Sequence, residues 1–268
     1  MGDQDFLHTT LGKLGRSAYR LGLSASYRPG APTVHRALEA GVNLFFCYGF
    51  DGQMTGVLRG LSSSQRQQLV YVTGAYHLFG WHPHLRRSLE KRLRQLGTDY
   101  LDCFLFLGVM RKQEFLEGVL EELRRFREEG KVLAMGVSIH DRKLAGALAA
   151  RGAVDVLMMR YNAAHRGAET ETFPFLADLP LAARPGLVTY TATRWGQLLK
   201  QKHMPPGEAA PPAADCYRFA LTHPAVDVCM TGPKNQAQMR EALRALDLGP
   251  MEAAELARLR RVGDYLRG

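Results

Sequence analysis

Cysteine is scarce in this chain. Only Cys47, Cys103, Cys216 and Cys229 occur in 268 residues, with no CxxC pair and no metal-ligand spacing to a histidine. That leaves no disulfide framework and no zinc pattern, and no metal site is expected. Cys47, Cys103 and Cys229 lie in apolar runs and read as core thiols, which fits a reducing cytoplasm. Long hydrophobic runs are also missing. No stretch of about 18 apolar residues occurs, so no membrane span is expected. The opening MGDQDFLHTTLGKLGR carries no apolar segment of a secretion signal. A cytoplasmic location is therefore the expectation. Isolated basic blocks are lacking too. The net charge is +9, but the arginines are spread through segments such as LRRSLEKRLRQLG and EELRRFREEGK, among glutamates. They read as solvated helix faces, and no nucleic-acid partner is expected. The surplus still favours anionic small ligands. Oligomeric state is left open.

What is present is a repeated alternation. Short apolar runs stand at Ala18–Ser24, Val42–Cys47, Leu69–Thr73, Tyr100–Phe106, Val132–Ser138, Val154–Met159, Gly186–Thr191 and Val226–Met230. They mostly do not alternate polar and apolar, as expected of strands buried on both faces of a parallel sheet. Helical patterns lie between them. Leu85, Leu89, Leu93 and Leu96 form one apolar stripe. The segment Glu114–Glu129 ends at Gly130, a C-cap glycine. Asp141 is placed to cap Arg142–Arg151. Pro32–Ala40, Ala213–Thr222, Asn235–Leu246 and Met251–Leu266 complete the set. Eight β-α units in this length predict one α/β domain over residues 1–268, a (β/α)8 TIM barrel closed by a C-terminal helix. A doubly wound open sheet is the alternative, but it would normally carry a GxGxxG turn after its first strand, and none is there. The proline-bearing stretch KQKHMPPGEAAPPA falls on the side of the barrel where the βα loops lie, as a connector near its mouth.

Six stretches in register resemble the aldo-keto reductase superfamily. They are TTLGKLGRSAYRLGLSA, HRALEAGVNLFF, LEKRLRQLGTDYLDCFLF, EEGKVLAMGVS, RYNAAHRGAE and TGPKNQAQMREAL. The resemblance implies a (β/α)8 barrel with a short N-terminal β-hairpin, and NADP(H)-dependent carbonyl reduction. It also implies a catalytic set of aspartate and tyrosine in a D-T-A-x-x-Y motif, a lysine after the third barrel strand and a histidine after the fourth. Aligned on GVNLFFCYGFD, the aspartate falls on Phe46 and the tyrosine on Asp51. The lysine falls on Gly74 and the histidine on Leu107. All four are replaced.

The remnants of a cofactor site are mixed. The resemblance places Ser138 at the nicotinamide carboxamide and Tyr190 under the nicotinamide ring, with Thr191 and Arg194 following. It places Gly232, Lys234, Asn235, Gln238 and Glu241 in the closing motif at the phosphate and adenosine end. There a glycine and a helix start suit phosphate, and Lys234 and Arg240 add charge. Ile139, Met158 and Ala242 stand where the family has polar residues.

Arg160 shares a strand face with Met158 and would point into the mouth, where an anionic partner is expected for it. Asp51 and Glu169 are alternative partners. Tyr48, Asp51 and Arg160 are the candidate catalytic residues, with Tyr48 or Asp51 as proton source and Arg160 on an oxyanion. His165 and Arg166 are expected to brace their loop, and Tyr76 and His77 to pack theirs. Three functions follow. One is an NADP(H)-binding oxidoreductase with a non-standard site, acting on a small carbonyl compound, of which an anionic one suits Arg160. The second is a non-catalytic barrel that senses a nucleotide or metabolite, or serves as a partner subunit. The third is a lyase or isomerase built around Arg160.

Overall fold

The structure is a computed structural model, and it describes residues 6–47, 51–76, 84–110 and 117–268. The strands are β1 (His8–Thr10), β2 (Ser17–Tyr19), β3 (Leu21–Ser24), β4 (Leu44–Phe46), β5 (Val70–Tyr76), β6 (Leu101–Val109), β7 (Val132–Ile139), β8 (Val156–Arg160), β9 (Gly186–Tyr190) and β10 (Val228–Thr231). β1 and β2 form an antiparallel hairpin. β3 to β10 pair in parallel, and β10 returns to β3, so the sheet is a closed eight-stranded barrel.

Helices α1 (Ala31–Glu39), α2 (Gly52–Arg59), α3 (Ser63–Gln67), α4 (Leu85–Leu96), α5 (Glu117–Glu128) and α6 (Arg142–Ala150) surround the first half. Then follow α7 (Ala168–Glu171), α8 (Phe173–Ala177), α9 (Ala213–Thr222), α10 (Gln236–Asp247) and the closing α11 (Ala253–Arg267). The fold is the expected (β/α)8 barrel with a hairpin and a C-terminal helix. No helix of the described residues is long and apolar enough to cross a membrane.

Two apolar layers hold the barrel. Inside it lie Leu44, Val70, Val72, Cys103, Leu105, Ala134, Val156, Val188 and Val228, closed at the foot by Leu11 and Ala18 of the hairpin. Outside, the other strand face packs on the helices through residues such as Leu89, Leu93, Leu120, Leu123, Leu148 and Phe219. Side-chain alternation along each strand feeds both layers.

The run Ala18–Ser24 reads as one strand in the sequence but is two, interrupted at Arg20. Arg20 is buried there. Its guanidinium donates to the carbonyls of Leu221 at 2.7 Å and Val226 at 2.9 Å. Those carbonyls lie at the end of α9 and just beyond it, so the chain turns from hairpin to barrel on a tertiary contact.

The barrel foot carries a repeated device. Asp102, Asp155 and Asp227 each accept a backbone N–H from the preceding strand: Tyr71 at 2.9 Å, Met135 at 2.9 Å and Leu187 at 2.8 Å. Each carboxylate also meets cations. Arg66 lies 2.9 Å from Asp102, Lys13 3.0 Å and Arg127 3.2 Å from Asp155, and Arg184 pairs with Asp227. Buried charge is tolerated where it is paired and hydrogen-bonded in this way. These carboxylates brace the end of the barrel opposite the one where the strands finish, leaving the other rim for binding.

Candidate active site

A cavity of about 1260 Å³ opens at the carboxyl ends of the strands. Its floor is apolar, with Phe46, Leu107, Met158 and Met230. From there it runs past Ser138, His140 and Tyr190, under the loop 191–196, to Gly232, Lys234, Gln238, Glu241 and Arg244 beside α10.

Three of the four positions at which the resemblance places catalytic groups sit on or beside this floor. Phe46 and Leu107 line it. Gly74 lies in β5 directly opposite Leu105. A Cβ on Gly74 would stand 2.1 Å from the Leu105 carbonyl oxygen. No side chain, lysine included, fits there unless β6 moves.

Asp51 is placed elsewhere. It is the N-cap of α2, and its Oδ1 accepts from Gln53 N at 2.9 Å and Met54 N at 3.2 Å. The residue is only 5% exposed and does not line the cavity. Its Oδ2 has no hydrogen-bond partner. Tyr48 and His77 lie outside the described residues.

Arg160 ends β8 opposite Tyr190 of β9. Its guanidinium lies over the Trp195 ring, 5.7 Å from the centroid. Trp195 lines the cavity, and Arg160 itself is not on the wall. Glu169 is engaged by Arg260, with two contacts of 2.9 Å, and by the Tyr161 hydroxyl at 2.7 Å. Arg160 therefore pairs with neither Asp51 nor Glu169. Its field reaches three groups, His140, His165 and Tyr190. His165 is held down to about 4, by burial first and then by Arg160 and further arginines. Arg166 braces its loop through Asp264 at 2.8 Å and the Arg260 carbonyl at 3.1 Å.

Of the nine cofactor candidates, seven meet on this one wall: Ser138, Tyr190, Thr191, Gly232, Lys234, Gln238 and Glu241. Asn235 is the N-cap of α10, accepting from Gln238 N at 3.0 Å, and borders a smaller adjoining hollow. Arg194 faces away and donates to the Leu266 carbonyl at 2.5 Å. Arg244 lines the cavity where Arg240 had been expected to supply charge. The end of the proline-bearing connector, Pro211 and Pro212, also forms wall.

The loop after β9 is strained. Thr191, Arg194 and Trp195 have φ of 60°, 50° and 53°. The left-handed region costs a β-branched residue most. The turn is held by Asn162 Nδ2, which donates to the Thr191 carbonyl at 2.8 Å. This geometry swings Trp195 out to 53% exposure at the cavity edge.

Sequence reasoning missed His140. It follows Ser138 by two positions, so alternation puts both on the inner face of the barrel wall. Its Nε2 lies 3.4 Å from the Tyr190 hydroxyl, with the rings edge to face. Burial, and then the Arg160 charge, lower its pKa. Burial raises that of Tyr190, against a hydrogen bond with Ser138 and the charge of Arg160. The signal was present in the spacing Ser138-x-His140.

Comparison with known proteins adds a frame to this geometry. The model of the aldo/keto reductase family matches residues 23–208. Among solved structures, the chain is similar to an aldo-keto reductase from Bacillus halodurans in its holo form, with a TM-score of 0.78 at 17% identity, covering 97% of this chain and 99% of that one. It is also similar to an aldo/keto reductase from Klebsiella pneumoniae in complex with NADP and acetate, with a TM-score of 0.75 at 21% identity, covering 96% and 95%. A Klebsiella pneumoniae aldo-keto reductase in complex with NADPH gives 0.74 at 20%, again covering 96% and 95%.

Proposed function

Because the chain belongs to the aldo/keto reductase family, we propose that it is an NADP(H)-dependent oxidoreductase with a non-standard proton site. The observation that carries the reading is the convergence of Ser138, Tyr190, Thr191, Gly232, Lys234, Gln238 and Glu241 on one continuous wall. Those residue types fit a dinucleotide. Ser138 offers a hydroxyl to a carboxamide, and Tyr190 a ring face. Gly232 lets backbone approach a phosphate, and Lys234 brings positive charge beside the start of α10. NADPH, when bound, supplies a hydride. The protein positions it and handles the accompanying proton.

The substrate in this reading is a small carbonyl compound or the corresponding alcohol. Arg160 has no carboxylate partner among the described residues, so its field favours a substrate that carries or develops negative charge. Asp51, buried as the N-cap of α2 and off the cavity wall, has no part in this reading, and Tyr48 stays a candidate through its place two residues beyond Phe46.

Titration with NADPH, followed by cofactor fluorescence, tests the reading. Saturable binding is expected. Lys234→Ala should weaken NADPH by about tenfold and NADH much less, the size of one charge-assisted contact. Absence of saturable binding removes the proposal. The apolar floor of Phe46, Leu107, Met158 and Met230 favours a second reading, a barrel that binds the nucleotide and does not turn it over. Binding without oxidation or reduction of any carbonyl or alcohol would select it.

A further inference from the structure

We propose that His140 is the proton-transfer residue of this site, oriented by Tyr190, in place of the tyrosine-based set the chain lacks. This rests on the reductase reading above. Four observations support it. His140 lines the same cavity as Ser138, two residues further along the chain. Nε2 is the ring atom turned to the Tyr190 hydroxyl, at 3.4 Å. That separation is longer than a tight hydrogen bond to a hydroxyl, so a substrate oxygen can take up the nitrogen without breaking a strong contact. The backbone N–H of His140 is anchored to the Val109 carbonyl at 2.8 Å, which fixes the main chain that carries the ring. Finally, Phe46, Gly74 and Leu107, three of the positions at which the resemblance places catalytic groups, carry no acid or base.

The charged and titratable groups that face His140 among the described residues are Arg160 from β8 and Tyr190 from β9. Tyr76, at the end of β5, acts on Tyr190. Both burial and Arg160 favour the neutral ring. At neutral pH the neutral form therefore dominates, which suits His140 to accept a proton from a substrate hydroxyl.

The chemistry balances simply. In alcohol oxidation the hydroxyl proton moves to Nε2 as the carbinol hydride leaves to NADP⁺, and the imidazolium releases the proton to solvent. In carbonyl reduction the protonated ring gives Nε2–H to the oxygen as hydride arrives from NADPH. Oxidation therefore gains rate as pH rises through the His140 pKa, below 6.5, and reduction loses it.

Two measurements test this. The first follows the ring nitrogens of His140 by NMR. A titration midpoint below 6.5 is expected, rising in Arg160→Gln, and NADP⁺ should shift these resonances. A midpoint at or above 6.5, or no response to NADP⁺, overturns the assignment. The second is the pH profile of 4-nitrobenzyl alcohol oxidation with NADP⁺ and of 4-nitrobenzaldehyde reduction with NADPH. His140→Gln should lower kcat by about 10²-fold or more and abolish the pH limb, with NADPH affinity kept within about threefold. Tyr190→Phe should move the limb while retaining part of the rate. An unchanged limb in His140→Gln, or binding of NADPH with no turnover of either probe, overturns the role of His140 and leaves the cofactor reading standing. Failure of NADPH to bind overturns both.

Discussion

At Gly74 the barrel has no room for a side chain, and the reason is backbone rather than packing. The Leu105 carbonyl oxygen lies 2.1 Å from where a Cβ would stand, and the Leu107 side chain 2.9 Å. Installing the lysine that the resemblance implies would force β5 and β6 apart. Gly74→Lys should lose about 3 kcal/mol or more in urea denaturation and gain no reductase activity. A stable Gly74→Lys protein would contradict this geometry. His165 makes a second residue-scale case. Its folded pKa is about 4, against an ordinary value of 6.5. Between those values the unfolded chain binds the extra proton and the folded chain does not, so stability falls as pH drops from 6.5 toward 4. Thermal melts across that window should show the slope, and His165→Gln should flatten it. Equal slopes in both proteins would assign the acid sensitivity to other groups.

At the scale of elements, the aspartates at the barrel foot matter most. Asp102 has a fully buried side chain, hydrogen-bonded to Tyr71 N and 2.9 Å from Arg66. Arg16 stands 3.6 Å from its other oxygen, an ion-pair distance too long for a hydrogen bond. Asp102→Ala strands a buried guanidinium and a backbone N–H and should cost about 3–5 kcal/mol, read from the urea midpoint. Asp102→Asn, which can still accept from Tyr71 N, should cost less. Equal losses would mean that the backbone hydrogen bond contributes nothing beyond the charge pair. These feet, like most strands, were legible only in part. Apolar runs announced β4 to β10, because strands covered on both faces need no polar alternation. The helix α4 and the Asp141 cap were also readable, since stripe and cap are local. The break at Arg20 was not, because it depends on carbonyls some two hundred residues away in the chain. Helix α2 was hidden by Gly52 and Gly56, which weaken local helix signal. Helix α3, with its Ser62–Gln65 capping box, went unread as well. In the site, motif register picked out the residues of the proposed cofactor wall. It did not pick out His140 or the placing of Arg160 over the Trp195 ring, since both arise where β7, β8 and the left-handed loop after β9 meet.

For the whole molecule, the proposed cofactor wall draws on several parts of the fold at once. It runs from the barrel rim, through the loop 191–196, to α9 and α10. A ligand lying along it ties the two helices to the strand ends, so its binding energy becomes stability of the entire barrel. At a hundredfold excess over Kd this adds about 2.7 kcal/mol, or roughly 5 °C in Tm for a chain of this size. The exposed cations Lys234 and Arg244 lie at one end of the wall, on a protein of net charge +9. Attraction of a phosphorylated nucleotide there is open to solvent and screened by salt. NADPH should therefore raise Tm more than NADH at low ionic strength, and the difference should shrink toward zero near 1 M salt. A scanning-fluorimetry series with both nucleotides at two salt concentrations measures this. Equal shifts at low salt would show that the charged end does not read the extra phosphate, even if the rest of the wall holds the dinucleotide.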